Sequence, residues 1–280
     1  MESLKTLYGY EGTKVVITGA ASGMAKAATE LLLELGAEVY AIDFKEVTLP
    51  VKKYINADLT QKAAIDDAMA QVPDIIHAIF SCHGMAARPG LDIKVLLCNF
   101  VGQRYMVETL LPRVVDNGAV AFISSFGGFG WQRSWKKVSS LLATKGFDEA
   151  HEWLKTHEKE IPDPDPYSFA KKCLTAYART KAWAPEYINR KIRINTVSPG
   201  LTLTGLTPDF AGGTKAGAEA IERVFLSGWN GRYATPEEMV YPMVFLNSKM
   251  GSYISGQDLM IDYGLSANIE TNALVASLKQ

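Results

Sequence analysis

The chain has 280 residues, 48% of them hydrophobic, and its 29 Lys and Arg against 30 Asp and Glu leave a formal charge of −1. That length suits one large core, and so a single domain over residues 1–280. The even charge excludes the basic stripe that grips a phosphate backbone or an anionic membrane, so neither nucleic acid nor membrane is expected as a partner. No run nears the roughly 18 apolar residues of a membrane span and no apolar leader opens the chain. With Cys82, Cys98 and Cys173 odd in number and set in apolar stretches, a cytoplasmic protein with reduced, packed thiols is expected.

In chain order, Lys14–Thr18 is a short apolar run that ends in Gly19-Ala-Ala-Ser-Gly23 and gives way to a helical pattern over Met24–Leu35. Gly36 closes that helix, and Glu38–Ile42 reads as a second buried strand, which completes a βαβ unit. Strands follow at Lys53–Asn56 and Ile75–Ser81 with a helix over Gln61–Ala70 between them, then a long helix over Lys94–Leu111 and a strand over Ala119–Ser124. Residues 126–166 interrupt the rhythm with an insert that holds Trp131, Trp135 and Trp153. It resumes with a helix over Pro166–Tyr187, a strand over Ile192–Val197, a segment over Thr202–Trp229, a helix over Pro236–Leu246 and a strand over Asp258–Ile261. Strands alternating with helices predict an α/β fold, a doubly wound parallel sheet of about seven strands with helices on both faces. The tail Ser266–Gln280 is weakly patterned and is expected to be a packing arm or disordered.

Two constellations carry chemistry. Gly19 and Gly23 stand where a strand turns into a helix, so backbone N–H groups can approach a pyrophosphate at the positive helix end. Asp43 follows about 20 residues later at the end of the second strand, where a carboxylate can bond the adenosine ribose and repel a 2′-phosphate, which favours NAD over NADP. Tyr167 and Lys171 are four residues apart at a helix start capped by Asp165 and Pro166, hence on one face. An ammonium beside the phenol is expected to lower its pKa from about 10 toward working pH, as a general base for alcohol oxidation requires.

Thr18-Gly-x-x-x-Gly23, Asp43, Asp58, Asn99, Ser124-Ser125, Tyr167-x-x-x-Lys171 and Pro199-Gly200 occur in an order that resembles the short-chain dehydrogenases/reductases over nearly the whole chain, with Gly231-Arg232 and Pro236-Glu237-Glu238 similar to that family's C-terminal pattern. The resemblance implies a Rossmann fold and a homodimer or homotetramer acting on a small molecule. It also implies that Tyr167 is the acid/base, Lys171 lowers its pKa and grips the nicotinamide ribose, Ser125 holds the substrate oxygen, and Asn99 anchors a water behind Lys171. Cofactor contacts are implied at Gly19, Ser22, Gly23, Met24, Asp43, Asp58, Leu59, Gly84, Pro199, Gly200, Thr202 and Thr204. No metal is expected, because His77, His83, His151 and His157 show no ligand spacing with the cysteines.

The chain departs from the pattern at Ala25, where a third glycine is usual, at Ser81-Cys82-His83-Gly84, where only Gly84 matches the usual Asn-Asn-Ala-Gly, and at Asp262-Tyr263-Gly264, where a glycine pair is typical. His83 could instead reach the cofactor or the substrate. The insert separates Ser125 from Tyr167 and is expected above the active site, as two helices broken near Gly146 followed by a stiff rail over Ile161–Pro166. It is a substrate cap with aromatic walls, a subunit contact, or both. It resembles the bacterial 3α-hydroxysteroid dehydrogenase/carbonyl reductase branch, which implies a bulky cyclic substrate such as a 3-hydroxysteroid held by Met85, Trp131, Trp135 and Leu206. The rivals are a dehydrogenase of an aromatic secondary alcohol or cyclic diol, and an inactive dinucleotide-binding regulatory protein.

Overall fold

The computed structural model describes residues 4–161, 165–210, 219 and 231–277. Most of Thr202–Trp229, the centre of the expected rail and the tip of the tail lie outside them. The elements are α1 (Leu4–Tyr8), β1 (Lys14–Thr18), α2 (Gly23–Glu34), β2 (Glu38–Asp43), β3 (Lys53–Asn56), α3 (Lys62–Met69), β4 (Ile76–Ser81), α4 (Asp92–Leu96), α5 (Gly102–Leu110), β5 (Val114–Ile123), α6 (Trp135–Leu142), α7 (Gly146–His157), α8 (Pro166–Lys181), α9 (Pro185–Ile188), β6 (Arg193–Pro199), α10 (Thr207–Phe210), α11 (Pro236–Asn247), β7 (Asp258–Ile261) and α12 (Leu265–Ser277). The seven strands form one parallel sheet in the order β3-β2-β1-β4-β5-β6-β7. The order of strand addition reverses between β1 and β4, and ligands of such sheets bind at the strand C-termini beside that switch point.

Alternation along the strands sorts the core. Val16 of β1 joins the apolar cluster that holds Phe100, Leu110, Phe169 and Leu174, whereas Val15 and Ile17 join the one that holds Ala28, Leu32, Val240 and Val244. Both faces of β1 are therefore dry, and it reads as an unbroken apolar run rather than an alternating one.

Four expectations need correction. The helix expected over Lys94–Leu111 is α4 and α5 joined by a π-helical turn at Leu97–Val101. Gly102 follows that turn, and a Cβ there would fall 2.1 Å from the Leu59 carbonyl oxygen, so only glycine lets the helix pass the β3–α3 loop so closely. The helix expected to reach Tyr187 ends at Lys181, because Pro185 cannot continue it and starts α9. The fifth strand begins at Val114 rather than Ala119, with a register shift opposite Ile76–Ala78 and Asn117 at φ 64°. The tail is helical: both carboxylate oxygens of Asp262 accept N–H groups, from Gly264 (3.0 Å) and Ser266 (2.7 Å), and so hold the start of α12.

The insert is two helices broken near Gly146, and they dock on α5 and α8. Val138, Leu141, Phe147, Ala150 and Leu154 are buried in the same core as Phe100 and Phe169. Arg104 of α5 is 1% exposed and makes no ion pair among the described residues; it donates to the Gly146 carbonyl (2.7 Å), Thr144 Oγ1 (3.1 Å) and the Leu141 carbonyl (3.3 Å). Those oxygens close the C-terminus of α6 and the turn into α7, where the helix dipole is negative. Trp153 stacks near Phe169 of α8 and donates from Nε1 to Ser140 Oγ at 2.9 Å.

Candidate active site

Gly19 at φ +79° and Gly23 at φ +57° occupy backbone regions that side chains disfavour, and a Cβ on Gly19 would meet His83 Cα at 3.0 Å. Ser22 is the exposed N-cap of α2 and makes no side-chain cap bond, so the first-turn N–H groups at Gly23, Met24 and Ala25 point outward without it. The Asp43 carboxylate accepts from the Ala21 N–H (3.0 Å) and the Lys45 N–H (2.9 Å), tying the end of β2 to the glycine turn. Lys45 Nζ lies 5.5 Å from the Phe44 ring centroid. At the end of β3, Asp58 is exposed and accepts from the backbone and hydroxyl of Thr60, while Leu59 is buried. Thr204 comes within 3.7 Å of where a Gly23 Cβ would sit, so the arm after β6 reaches the cradle. Pro199 ends β6, and Gly200 is wedged against Asp262, whose Cα a Cβ would meet at 2.9 Å. Thr202 bonds the Gly200 carbonyl at 3.2 Å. A glycine cradle, an uncapped helix start and a buried carboxylate at the β2 end together fit a nicotinamide dinucleotide.

Ser125, Tyr167 and Lys171 are brought together. Ser125 follows β5 and caps the tight turn Phe126–Gly128, its Oγ accepting the Gly127 N–H at 3.1 Å. The glycine there allows the turn to lie on α8, since a Gly127 Cβ would touch Tyr167 Cε1 at 3.4 Å. Asp165 fixes the start of α8 by accepting the Ser168 N–H at 2.7 Å, which sets Tyr167 in the first turn, hydrogen-bonded to Ser125. Lys171, one turn on, is 3% exposed; its Nζ donates to the Ile123 carbonyl at 2.7 Å and sits 5.6 Å from the Tyr167 ring centroid.

The electrostatics depart from the expected lowering of the Tyr167 phenol. Burial pushes the Tyr167 phenol up to about 12; the Ser125 bond opposes this and the Asp165 charge adds to it. The ammonium is held toward β5, not against the phenol oxygen, and burial brings Lys171 itself down to about 8. Asn99 stands in the π-helical turn and is fully buried. Both of its Nδ2 hydrogens are used, by the carbonyls of Met85 (2.9 Å) and Val95 (2.9 Å), and its Oδ1 takes the Met85 N–H at 3.2 Å. Its side chain therefore clamps the Gly84–Met85 loop, and a Gly84 Cβ would press on Asn99 Oδ1 at 2.7 Å.

Met85 and Leu206 flank the site on two loops joined by the Arg88–Asp209 ion pair at 2.7 Å. Trp131 and Trp135 meet edge-on with centroids 5.7 Å apart; Trp131 leans on the core and Trp135 is 44% exposed. Two supports went unread in the sequence. Thr18 Oγ1 accepts from the Cys82 N–H (3.0 Å), and Gln103 Nε2 donates to the His83 carbonyl (2.7 Å) while its Oε1 accepts from Ser81 (3.1 Å). Gln103 lies four residues after Asn99 on the same helical face, a spacing that could have exposed it. Cys82, Cys98 and Cys173 are free thiols, and burial pushes each thiol up. His77 Nδ1 accepts the Lys14 N–H, and His157 stacks on Trp153. Among the described residues no helix is long and apolar enough to cross a membrane, and no cluster of three His, Cys, Asp or Glu could hold a metal ion.

The family described as NAD dependent epimerase/dehydratase matches residues 15–194, and the one described as enoyl-(acyl carrier protein) reductase matches residues 154–266. A coniferyl-alcohol dehydrogenase of Pseudomonas sp. (strain HR199 / DSM 7063) is 26% identical over 263 residues, covering 91% of this chain and 96% of that one. A 3-alpha-hydroxysteroid dehydrogenase/carbonyl reductase of Comamonas testosteroni is 26% identical over 258 residues, covering 90% and 96%. Among solved structures, the 3-alpha-hydroxysteroid dehydrogenase from Pseudomonas sp. B-0831, complexed with NADH, shares the fold with a TM-score of 0.77 at 24% identity, over 92% of this chain and 99% of that one. With these family matches spanning residues 15–266 between them and a seven-stranded parallel sheet, the chain belongs to the short-chain dehydrogenase/reductase family of oxidoreductases.

Proposed function

We propose that this chain is an NAD-dependent oxidoreductase that interconverts a secondary alcohol and a ketone on a bulky, largely apolar cyclic substrate such as a 3-hydroxysteroid. One observation carries the reading: a Tyr167 phenol enclosed by protein, bonded to Ser125 and one helical turn from Lys171, beside a glycine cradle at the sheet's switch point. A bound nicotinamide ring supplies or accepts the hydride. In reduction, Tyr167 gives its proton to the substrate oxygen as negative charge grows there. Ser125, whose Oγ already accepts the Gly127 N–H, has its own proton left to donate to that same oxygen. Lys171, one helical turn away and charged below its pKa of about 8, offsets part of the charge of the phenolate that results. Asn99 acts by holding the Gly84–Met85 loop, and its spare Oδ1 lone pair faces the Lys171 side. In oxidation the same groups run in reverse.

Preference for NAD is supported by the Asp43 carboxylate, 7% exposed at the β2 end with both oxygens engaged, and by Lys45 turning to Phe44 rather than offering a cation to a 2′-phosphate. The steroid reading is supported by the Comamonas testosteroni relative and by the half-buried apolar residues Met85 and Leu206. The similarity to a coniferyl-alcohol dehydrogenase favours a second reading, an aryl alcohol in the same site. The protein is read as a cytoplasmic homodimer or homotetramer. The test follows nicotinamide absorbance with NAD(H) and NADP(H) in parallel over hydroxysteroids, aryl alcohols, cyclic diols and small hydroxy acids. Turnover with NAD and a steroid is expected; preference for NADP refutes the Asp43 argument, and turnover restricted to small charged hydroxy acids refutes the substrate class.

A further inference from the structure

We propose that His83 is a dinucleotide-binding residue, its ring oriented by Thr18 so that Nε2–H donates to an oxygen of the adenosine ribose or pyrophosphate. The inference rests on the dinucleotide-binding reading above and adds a side chain where the family pattern has an alanine. The argument begins at Thr18 Oγ1, which takes the N–H groups of Cys82 at 3.0 Å and His83 at 3.3 Å and lies 2.7 Å from His83 Nδ1. A hydroxyl has two acceptor lone pairs and one proton. With both lone pairs occupied by backbone donors, the proton must go to Nδ1, which is therefore an acceptor. Burial first, and then the Lys171 charge, press the imidazole down to about 3, so it is neutral at working pH and carries its one proton on Nε2.

That Nε2–H has no partner among the described residues and is shut from solvent. Buried donors are rarely left unpaired, and one held in a fixed direction beside a binding cradle points to a ligand acceptor. The ring's place agrees. His83 Cα is the atom a Gly19 Cβ would strike, so the residue lies on the cradle itself. Its ring feels the charges of both Asp58 and Lys171, the residues assigned to the adenine and nicotinamide-ribose ends. The backbone cannot drift, because the His83 carbonyl is held by Gln103 Nε2 at 2.7 Å, and Gln103 by Ser81.

The experiment measures Kd for NADH, ADP-ribose and adenosine by fluorescence and calorimetry on wild type, His83→Ala, His83→Gln and Thr18→Val, together with imidazole ¹⁵N spectra of the wild type. Loss of one such hydrogen bond is expected to weaken NADH and ADP-ribose about tenfold in His83→Ala. His83→Gln, which restores an N–H donor, should recover part of that loss, and Thr18→Val should reproduce part of it. In the wild type, the spectra should show a neutral Nε2–H ring down to about pH 5 that shifts when ADP-ribose is added. Weakening that already appears with adenosine places the acceptor on the ribose; weakening first seen with ADP-ribose places it on the pyrophosphate. A folded His83→Ala that binds NADH with wild-type Kd overturns the proposal while leaving the dinucleotide reading intact, as does a wild-type ring whose resonances ignore ADP-ribose. A wild type that binds no dinucleotide brings both down.

Discussion

The cofactor side and the insert side of this protein are held by different kinds of bond. The cradle is built from backbone: Gly19 and Gly23 in left-handed conformations, and Asp43 and Thr18 Oγ1 accepting main-chain N–H groups. The insert is fastened by side chains, with Arg104 on three oxygens of the α6–α7 turn, Trp153 against Phe169 and Ser140, and Lys172 Nζ on Ser134 Oγ. A site made of backbone conformation tolerates few residues at few positions, whereas a flank made of side-chain packing can be rebuilt many ways. That difference predicts separable failures, in which cradle changes move dinucleotide binding and insert changes move stability or substrate fit.

The largest effect should fall on neither side. Tyr167→Phe removes the proton but not the ring, so turnover should drop by about 10²–10⁴ with NADH Kd unchanged. Steady-state rates and a binding titration check this, and normal turnover would remove Tyr167 as the acid/base. The pH profile sharpens the assignment. Ketone reduction needs Tyr167 protonated and Lys171 charged, so kcat/KM should be level below pH 8 and fall above it as Lys171 discharges. Alcohol oxidation needs the phenolate, so it should climb with pH toward the phenol's value of about 12. A reduction rate that rises through pH 8 contradicts this order.

Next in size, Arg104→Ala strips three hydrogen bonds made by a buried charged group, while Thr144 still donates to the Leu141 carbonyl, at a cost of about 3 kcal/mol. Urea unfolding should show that loss while NADH Kd at low temperature stays within about twofold of wild type. Weakened NADH binding of the folded variant would mean that the two sides are coupled. Asp43→Asn tests the other side: it keeps one acceptor for a backbone N–H but drops the charge that repels a 2′-phosphate. The ratio of kcat/KM for NADP over NAD should rise about tenfold with little change in unfolding midpoint.

The same distinction explains which features were readable in the sequence. Strands β1 to β7, the glycine turn, Asp43 and the Tyr167–Lys171 spacing are local patterns, and local patterns survive without knowledge of packing. The π-helical turn at Leu97–Val101 was not readable, because it leaves the apolar run of the helix unbroken, and the close pass of Gly102 by the Leu59 carbonyl is a tertiary contact. Arg104 is charged and sits on a helix, which ordinarily marks an exposed face, yet it is buried because the insert lies over it. The phenol of Tyr167 was expected to be lowered by its neighbour and is raised by its burial. Spacing places Lys171 one turn away, but only the fold turns its Nζ to the Ile123 carbonyl. The helix at 265–277 shows too little amphipathic pattern to be seen, and its start depends on Asp262 folding back over Gly264 and Ser266.

The smallest expected effect decides what the insert is for. Trp135 is 44% exposed and edge-on to Trp131, so truncating it removes little core packing and Trp135→Ala should change stability by no more than about 0.5 kcal/mol. If the pair walls the substrate site, KM for a bulky cyclic ketone should rise several-fold while KM for a small ketone and the mass in solution stay fixed. If the pair is a subunit contact, both KM values should stay fixed and the sedimentation mass should fall at low concentration, because exposed tryptophans at interfaces carry disproportionate binding energy. The docking of α6 and α7 on α5 and α8 accounts for the buried Val138, Leu141 and Leu154 but not for the exposed Trp135, whose role this variant reads. A rise in KM confined to the bulky ketone would then show that the residues around Trp131, alone of the insert, reach back to the substrate.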